Sequence, residues 1–352
     1  MKLSWQRVAL PLRDPFTIAR GTLRHQSALI VSLSADGETG YGEAMCNPYY
    51  RHTYESLESS LQQVANALAD RRLATPEELY ECCREVIPHD TFALSAVDCA
   101  AYDLYGKVNK ITTRELLGLS GDAIPFSSYT LGIDSVPEMV RKLGEQPGWP
   151  IYKIKLGTAD DLIIVQTLRR KTDAVIRVDA NCAWTVEQAV TMSHQLKALG
   201  VEFIEQPLPY DRPREEFEAV FRNSVLPVIA DESCRTEADV EKCHGVFHGV
   251  NLKLVKCGGL TPAVRMLRKA RELGMRTMVG CMIESSVGIS AAAQLLPALD
   301  YADLDGAALL SDDPAVGVAV KDGRVQFPAG WGNGVTLRPG FSVDMEMGSR
   351  DE

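Results

Sequence analysis

From about residue 128 onward the chain repeats one pattern: a short apolar or β-branched run, then a longer amphipathic stretch, at a nearly fixed interval. The short runs are Ser128 to Leu131, Ile151 to Leu156, Ala174 to Asp179, Val201 to Glu205, Leu226 to Asp231, Val250 to Val255, Arg276 to Gly280 and Tyr301 to Asp305. Between them lie helical patterns such as Val186 to Leu199, with Thr185 before it and Gly200 after it, and Pro262 to Leu273, followed by Gly274. A hydroxyl residue before a helix and a glycine after it are ordinary start and stop signals. Strands that alternate with helices are parallel, because a long right-handed crossover returns the chain to the same end of the next strand. Eight such units predict an α/β fold closed as a TIM-type barrel. The competing open sheet is disfavoured, since no Gly-x-Gly-x-x-Gly loop follows an early strand.

Residues before about 120 follow another pattern. Leu3 to Leu10, Ser27 to Leu33 and Gly40 to Glu43 read as a strand meander with Asp36-Gly37 as a turn, and helical patterns follow at 53–69, 76–86 and 92–107. The expected division is an α+β domain over 1–122, the barrel over 123–318, and a segment over 319–352 that contains the Asp322-Gly323 turn and returns to the first domain. Met345 to Glu352 read as a frayed polar tail. A chain of 352 residues with 45% hydrophobic content can fill two cores. Its net charge of -10 repels a phosphate backbone, which argues against nucleic acid as a partner. Apolar runs are broken well short of a bilayer's thickness, and Lys2, Arg7, Arg13, Asp14 and Arg20 interrupt the start, so no membrane partner and a cytoplasmic location are expected. Nine cysteines, without a Cys-x-x-Cys pair and with Cys82 next to Cys83, read as reduced and mostly buried thiols.

Three successive strands end in a carboxylate: Asp179, Glu205 and Asp231. The step from 179 to 205 and from 205 to 231 is 26 residues both times, one strand-helix repeat. The acids therefore stand side by side at the carboxyl ends of strands three, four and five, the functional face of a barrel. Clustered carboxylates repel one another, and a hard divalent cation that takes oxygen ligands, Mg2+ above all, resolves the conflict. A single acid of this kind is more often a cap or a surface ion pair; three in register are not. Lys153 and Lys155 on strand two share a face because the side-chain period is two, and Lys253 lies on strand six, diametrically opposite. Lys256, three residues further on, reads as a lysine on the other face that snorkels to solvent. On strand eight Asp303 and Asp305 again share a face, placed to hold a cationic group at the far end of a ligand. A metal-bound carboxylate between two opposed lysines suits removal of the neighbouring α-proton from one face and its return from the other, with inversion at carbon.

At these residues the chain resembles the enolase superfamily, in its muconate-lactonising subgroup, and within it the dipeptide epimerases. The matching segments are Ile18-Ala19-Arg20-Gly21, Gly40-Tyr41-Gly42-Glu43, Lys153-Ile154-Lys155, Val178-Asp179-Ala180-Asn181, Ile204-Glu205-Gln206-Pro207-Leu208, Ala230-Asp231-Glu232-Ser233, Asn251-Leu252-Lys253, Gly258-Gly259-Leu260, Gly280-Cys281-Met282 and Ala302-Asp303-Leu304-Asp305-Gly306. The resemblance implies a modified TIM-type (β/α)7β barrel with an α+β capping domain whose loop near residues 12–25 closes over the ligand. It implies Asp179, Glu205 and Asp231 as Mg2+ ligands, Lys155 and Lys253 as the acid/base pair, and Lys153 as a partner of the substrate carboxylate. Asp303 and Asp305 fall where these enzymes bind a dipeptide's α-ammonium. Thr130, Arg24 and Glu284 complete the substrate-binding candidates, with Arg20 as an alternative to Arg24 for an acidic side chain, and Tyr49, Tyr50 and Trp184 as possible pocket walls. The mandelate-racemase subgroup is disfavoured because no histidine follows His248. The expected activity is epimerisation of a dipeptide at its C-terminal residue. N-acylamino acid racemisation and o-succinylbenzoate synthesis are the alternatives on the same scaffold, and a barrel that only binds a small acid is the non-enzymatic one. Association into a homo-oligomer is compatible with the resemblance.

Overall fold

The computed structural model describes residues 1–119, 121, 123–339 and 341; the expected tail at Met345 to Glu352 lies outside them. The first unit opens with strands β1 (Lys2–Ile18), β2 (Gly21–Ala35) and β3 (Glu38–Met45), an antiparallel sheet in the order β1-β2-β3. Asp36 and Gly37 both take positive φ, 52° and 82°, which a two-residue hairpin turn requires and Asp-Gly tolerates. Helices α1 (Tyr54–Leu68), α2 (Pro76–Val86) and α3 (Thr91–Asn109) complete the unit. α3 is buried almost from end to end, and it lies so close to β3 that a Cβ at Gly42 would stand 1.9 Å from the Ala96 carbonyl oxygen. Only glycine permits that approach.

The loop expected over residues 12–25 is instead the far end of the β1-β2 hairpin. Pairing resumes after a register shift between Pro11 and Phe16, with Phe16 opposite Leu23 and Thr17 opposite Thr22. The two threonine hydroxyls lie 2.8 Å apart. Polar residues and two prolines hide this extension from a hydrophobic pattern, because backbone bonds carry it. The tip reaches the second unit, where Ile133 N donates to Thr17 O at 2.7 Å.

The second unit is a barrel of parallel strands β4 (Tyr129–Leu131), β5 (Ile151–Lys155), β6 (Val175–Asp179), β7 (Val201–Glu205), β8 (Val228–Ala230), β9 (Gly249–Leu252), β10 (Arg276–Gly280) and β11 (Tyr301–Asp303). The strands pair in chain order, and a parallel bridge between Ser127 and Ala302 joins the first strand to the last. Phe203, Ile229, Met278 and Tyr301 form a buried cluster inside the barrel, with the Arg177 guanidinium over the rings of Phe203 and Tyr301. The period of two then places Glu205, Asp231, Gly280 and Asp303 in the next layer toward the mouth. An apolar floor thus carries a charged upper layer.

Several barrel strands are shorter than expected, and at β9 the difference redirects a side chain. β9 stops at Leu252, and the chain turns into a single helical turn, Leu254–Cys257, that ends at Gly258 with φ 102°. After the barrel, the hairpin formed by Ala319–Lys321 and Arg324–Gln326 packs Val320 and Val325 on the barrel core. The following stretch lies on the first unit: Asn333 N donates to Asp103 Oδ1, and Lys107 Nζ donates to Val335 O. Among the described residues no helix is long and apolar enough to cross a membrane.

Candidate active site

Asp179 and Glu205 are the last residues of β6 and β7, and Asp231 follows β8 directly. All three are buried, and one oxygen from each lies within 4.8 Å of the others. The backbone beyond these strands is bent to aim them. Asn181 and Gln206 hold φ of 45° and 33°, unusual for side chains with a Cβ. Asn181 N donates to Asp179 Oδ1 at 2.9 Å, and Gln206 Oε1 accepts from the backbone of Asp231 and Ser233 at 3.0 and 3.1 Å. Asn251 Nδ2 donates to Glu205 Oε1 at 2.9 Å, whereas Glu205 Oε2 accepts no hydrogen bond although Lys153 Nζ stands 2.8 Å away. A buried carboxylate oxygen left in this state, beside two more carboxylates and no sulfur or nitrogen ligand, fits a hard cation such as Mg2+.

The lysines converge on the same acids. Lys155 Nζ donates to Asp179 Oδ2 at 2.6 Å, and Lys253 Nζ, just past β9, donates to Asp231 Oδ2 at 2.8 Å. Lys153, 1% exposed, donates to Asp303 Oδ2 at 2.7 Å and also faces Asp179 at 3.4 Å. Burial and ion pairing oppose each other at the acids, and pairing wins at two of the three. Burial would raise Asp179 and Asp231, but Lys155 with Lys153, and Lys253 with Lys256, hold both below the usual carboxylate range. For Glu205 burial wins over Lys153 and pushes it up to about 7. Burial would lower Lys153 and Lys253, yet their carboxylate partners keep both above the ordinary lysine value.

Asp303 ends β11 and Asp305 follows two residues later. Asp303 Oδ1 accepts from Ser128 Oγ at 2.6 Å; Asp305 accepts from the Thr130 backbone N–H at 2.6 Å and its hydroxyl at 3.2 Å. Burial raises both acids, but Lys153 and Lys155 bring Asp303 down to about 2, while Asp303 itself helps burial push Asp305 up to about 7. Lys155, Lys253, Asp231, Asp303, Asp305 and Thr130 all line one cavity of about 1020 Å³. Its other side is the tip of the β1-β2 hairpin, Tyr49, Tyr50 and the stretch Cys281 to Ile283. The two lysines come from strands four places apart in a ring of eight, so they face each other across this space.

The candidates outside the barrel strands divide. Arg20 is engaged: its guanidinium pairs with Glu232 at 2.9 Å and lies over the Tyr49 ring at 4.3 Å. Arg24 is exposed at the cavity rim and makes no ion pair among the described residues. Trp184 is buried outside the cavity lining, its indole N–H donating to Asp161. Glu284, expected to meet the ligand, does not line the cavity. The chain turns back after Ile283, so that Glu284 Oε1 accepts from Met282 N at 2.8 Å beneath the cavity wall. Beside it Glu43 of β3 accepts from Ser285 N and Oγ and from Gly288 N, at the start of the helix Ser286–Ala293. Burial, then Glu284, pushes Glu43 up to about 8. Lys256, expected at the surface, is buried, and its Nζ lies 2.6 Å from Asp231 Oδ1. The alternation that assigned it to the outside ended with β9 at Leu252.

Residues 2–118 match the mandelate racemase / muconate lactonizing enzyme N-terminal domain, and residues 135–341 match the enolase C-terminal domain-like family. The chain belongs to the enolase superfamily. A superfamily member from Flavobacterium johnsoniae named L-Ala-D/L-amino acid epimerase is 50% identical over 96% of this chain and 100% of its own length. A dipeptide epimerase from Cytophaga hutchinsonii, solved with Mg and the dipeptide D-Ala-L-Val, superposes with a TM-score of 0.90 at 25% identity over 96% of each chain. The substrate-liganded L-Ala-D/L-Glu epimerase from Bacillus subtilis gives 0.90 at 28% identity, over 95% of this chain and 99% of that one.

Proposed function

We propose that this chain is a dipeptide epimerase that inverts the α-carbon of the C-terminal residue of a dipeptide. One observation carries the reading: Lys155 and Lys253 face each other across a cavity lined by Asp303, Asp305 and Asp231, the last of these clustered with the buried Asp179 and Glu205. The epimerase names and the Mg and dipeptide complexes of its relatives support it. Asp179, Glu205 and Asp231 hold Mg2+, which supplies the electrostatic stabilisation a substrate carboxylate needs as negative charge builds beside it. The dipeptide's carboxylate lies toward these acids and Lys153. Its ammonium lies toward Asp303 and Asp305, the latter oriented by Thr130. That leaves the α-carbon between the lysine amines, one of which takes its proton while the other delivers a proton to the opposite face. The fourth substituent, the side chain, then points out of the barrel toward the hairpin tip, where Arg24 offers a cation to an acidic side chain. The hairpin covers the mouth and excludes water from the carbanion.

Incubation with Mg2+ and a library of L-Ala-L-Xaa dipeptides in deuterated water tests this. We expect a one-dalton gain in at least one dipeptide, with both epimers present on chiral chromatography. No gain in any dipeptide, or a dehydrated product, overturns the proposal.

A further inference from the structure

The buried amine of Lys256 has no part in the chemistry above, yet it makes more hydrogen bonds than any of the three lysines that have one. Its Nζ meets Asp231 O at 2.5 Å, Asp231 Oδ1 at 2.6 Å, Cys234 O at 3.0 Å and Asn251 O at 3.2 Å. Four acceptors share three N–H donors, so the nitrogen has no freedom to swing. The acceptors join the turn after β8 to the end of β9, and they include both the backbone and the side chain of Asp231. The other oxygen of that carboxylate, Oδ2, takes Lys253 Nζ at 2.8 Å. Lys253 and Asp231 line the cavity; Lys256 does not. Asp231 is thus held from behind by one lysine and met from the front by another.

We infer that Lys256 is a positioning residue that fixes the orientation of Asp231, turning Oδ2 rather than Oδ1 toward the cavity and the cation. A buried carboxylate needs a charged partner that stays in place, and a ligand with free rotation about its side chain binds a metal less well than one held by its neighbours. Lys253 faces the cavity and the reacting carbon and cannot serve as that fixed partner. Lys256 faces neither. The helical turn Leu254–Cys257 brings it round: Lys256 N donates to Lys253 O at 3.0 Å, so the chain folds the second amine behind the first acid instead of sending it outward.

The inference rests on the Mg2+ reading of the three acids, and the test separates the two. Metal-free protein is titrated with Mn2+ and the free ion followed by electron paramagnetic resonance, for wild type, K256M and K256Q, with thermal unfolding of each. Methionine keeps the volume and loses all donors; glutamine can still donate to the carbonyls but carries no charge. In folded variants we expect the Mn2+ dissociation constant to rise by about 10- to 100-fold, the usual cost of removing a group that orients a metal ligand. K256Q should recover thermal stability relative to K256M without recovering Mn2+ affinity, which a purely structural lysine would not produce. Wild-type Mn2+ affinity in a folded variant overturns the inference, and so does failure of both variants to fold at low temperature, since Lys256 would then serve only the fold. A wild-type protein that binds no Mn2+ overturns the metal reading itself.

Discussion

Replacing Asp303 by asparagine removes one charge at constant size and tests how the ligand's far end is held. In the native site Oδ1 accepts from Ser128 Oγ at 2.6 Å and Oδ2 from Lys153 Nζ at 2.7 Å. Each carboxylate oxygen has two lone pairs, and the Thr130 hydroxyl, 3.4 Å from Oδ1, has a shorter alternative at Asp305, 3.2 Å away, so Oδ2 keeps one position for a substrate ammonium and Oδ1 can free a second. Asparagine offers one carbonyl oxygen, which Lys153 will claim, and turns an NH2 toward the cavity or Ser128. A hydrogen bond to a charged group contributes about 1.5–3 kcal/mol, which is about 10- to 150-fold in affinity. We therefore expect kcat/KM for a free dipeptide to fall by about 10- to 100-fold, mainly through KM. The N-acetylated form of the same dipeptide has no ammonium to lose, so its rate should change little between wild type and D303N. Lys153 keeps Glu205 at 2.8 Å and Asp179 at 3.4 Å, so the fold should survive with a modest drop in Tm. Steady-state kinetics on both substrates and a thermal melt decide it. An equal loss on free and acetylated dipeptide, or no loss on either, refutes the ammonium assignment.

Asp305 should make binding pH-dependent. Burial and Asp303 raise it to about 7, so it is neutral below that pH and attracts the substrate ammonium only when ionised above it; KM for a free dipeptide should climb as pH falls through about 7, and D305N should show no such limb. Glu43 should make stability pH-dependent. Its folded value of about 8 lies above the ordinary 4.5, so between these pH values the folded protein holds a proton the unfolded chain has lost. Stability must then fall as pH rises through that window, by up to about 1.4 kcal/mol per pH unit. E43Q removes the titration, so its Tm relative to wild type should improve steadily from acid to mildly alkaline pH; a difference that stays flat argues against a protonated Glu43.

Strand identity and the polar cluster were legible because both rest on periods. Runs of β-branched residues separated by capped helices gave the eight strands, and the 26-residue step put Asp179, Glu205 and Asp231 on adjacent ones. Where the period stopped, reading by pattern stopped with it. Strand alternation continued to Val255 puts Lys256 in solvent, whereas the chain leaves the strand at Leu252 and its Gly258-Gly259 pair closes a helical turn that no hydrophobic pattern marks. Glu284 sits only four residues past β10, but its direction depends on the reversal after Ile283. The hairpin tip reads as a loop in sequence because pairing of Thr17 with Thr22 uses backbone bonds. Arg20 and Arg24 looked equivalent in sequence, and only the Glu232 carboxylate, more than two hundred residues away, separates them.

The central claim is that two lysines serve opposite faces of one carbon, and α-hydrogen exchange in deuterated water measures it directly. Lys155→Ala and Lys253→Ala are each supplied with Mg2+ and with one pure epimer of an active dipeptide at a time. Each variant should fail to epimerise and should still exchange the α-hydrogen of one epimer, a different one in each variant, because the remaining amine can remove and return a proton on its own side. Exchange of the same epimer by both variants, or epimerisation by either, would contradict the account.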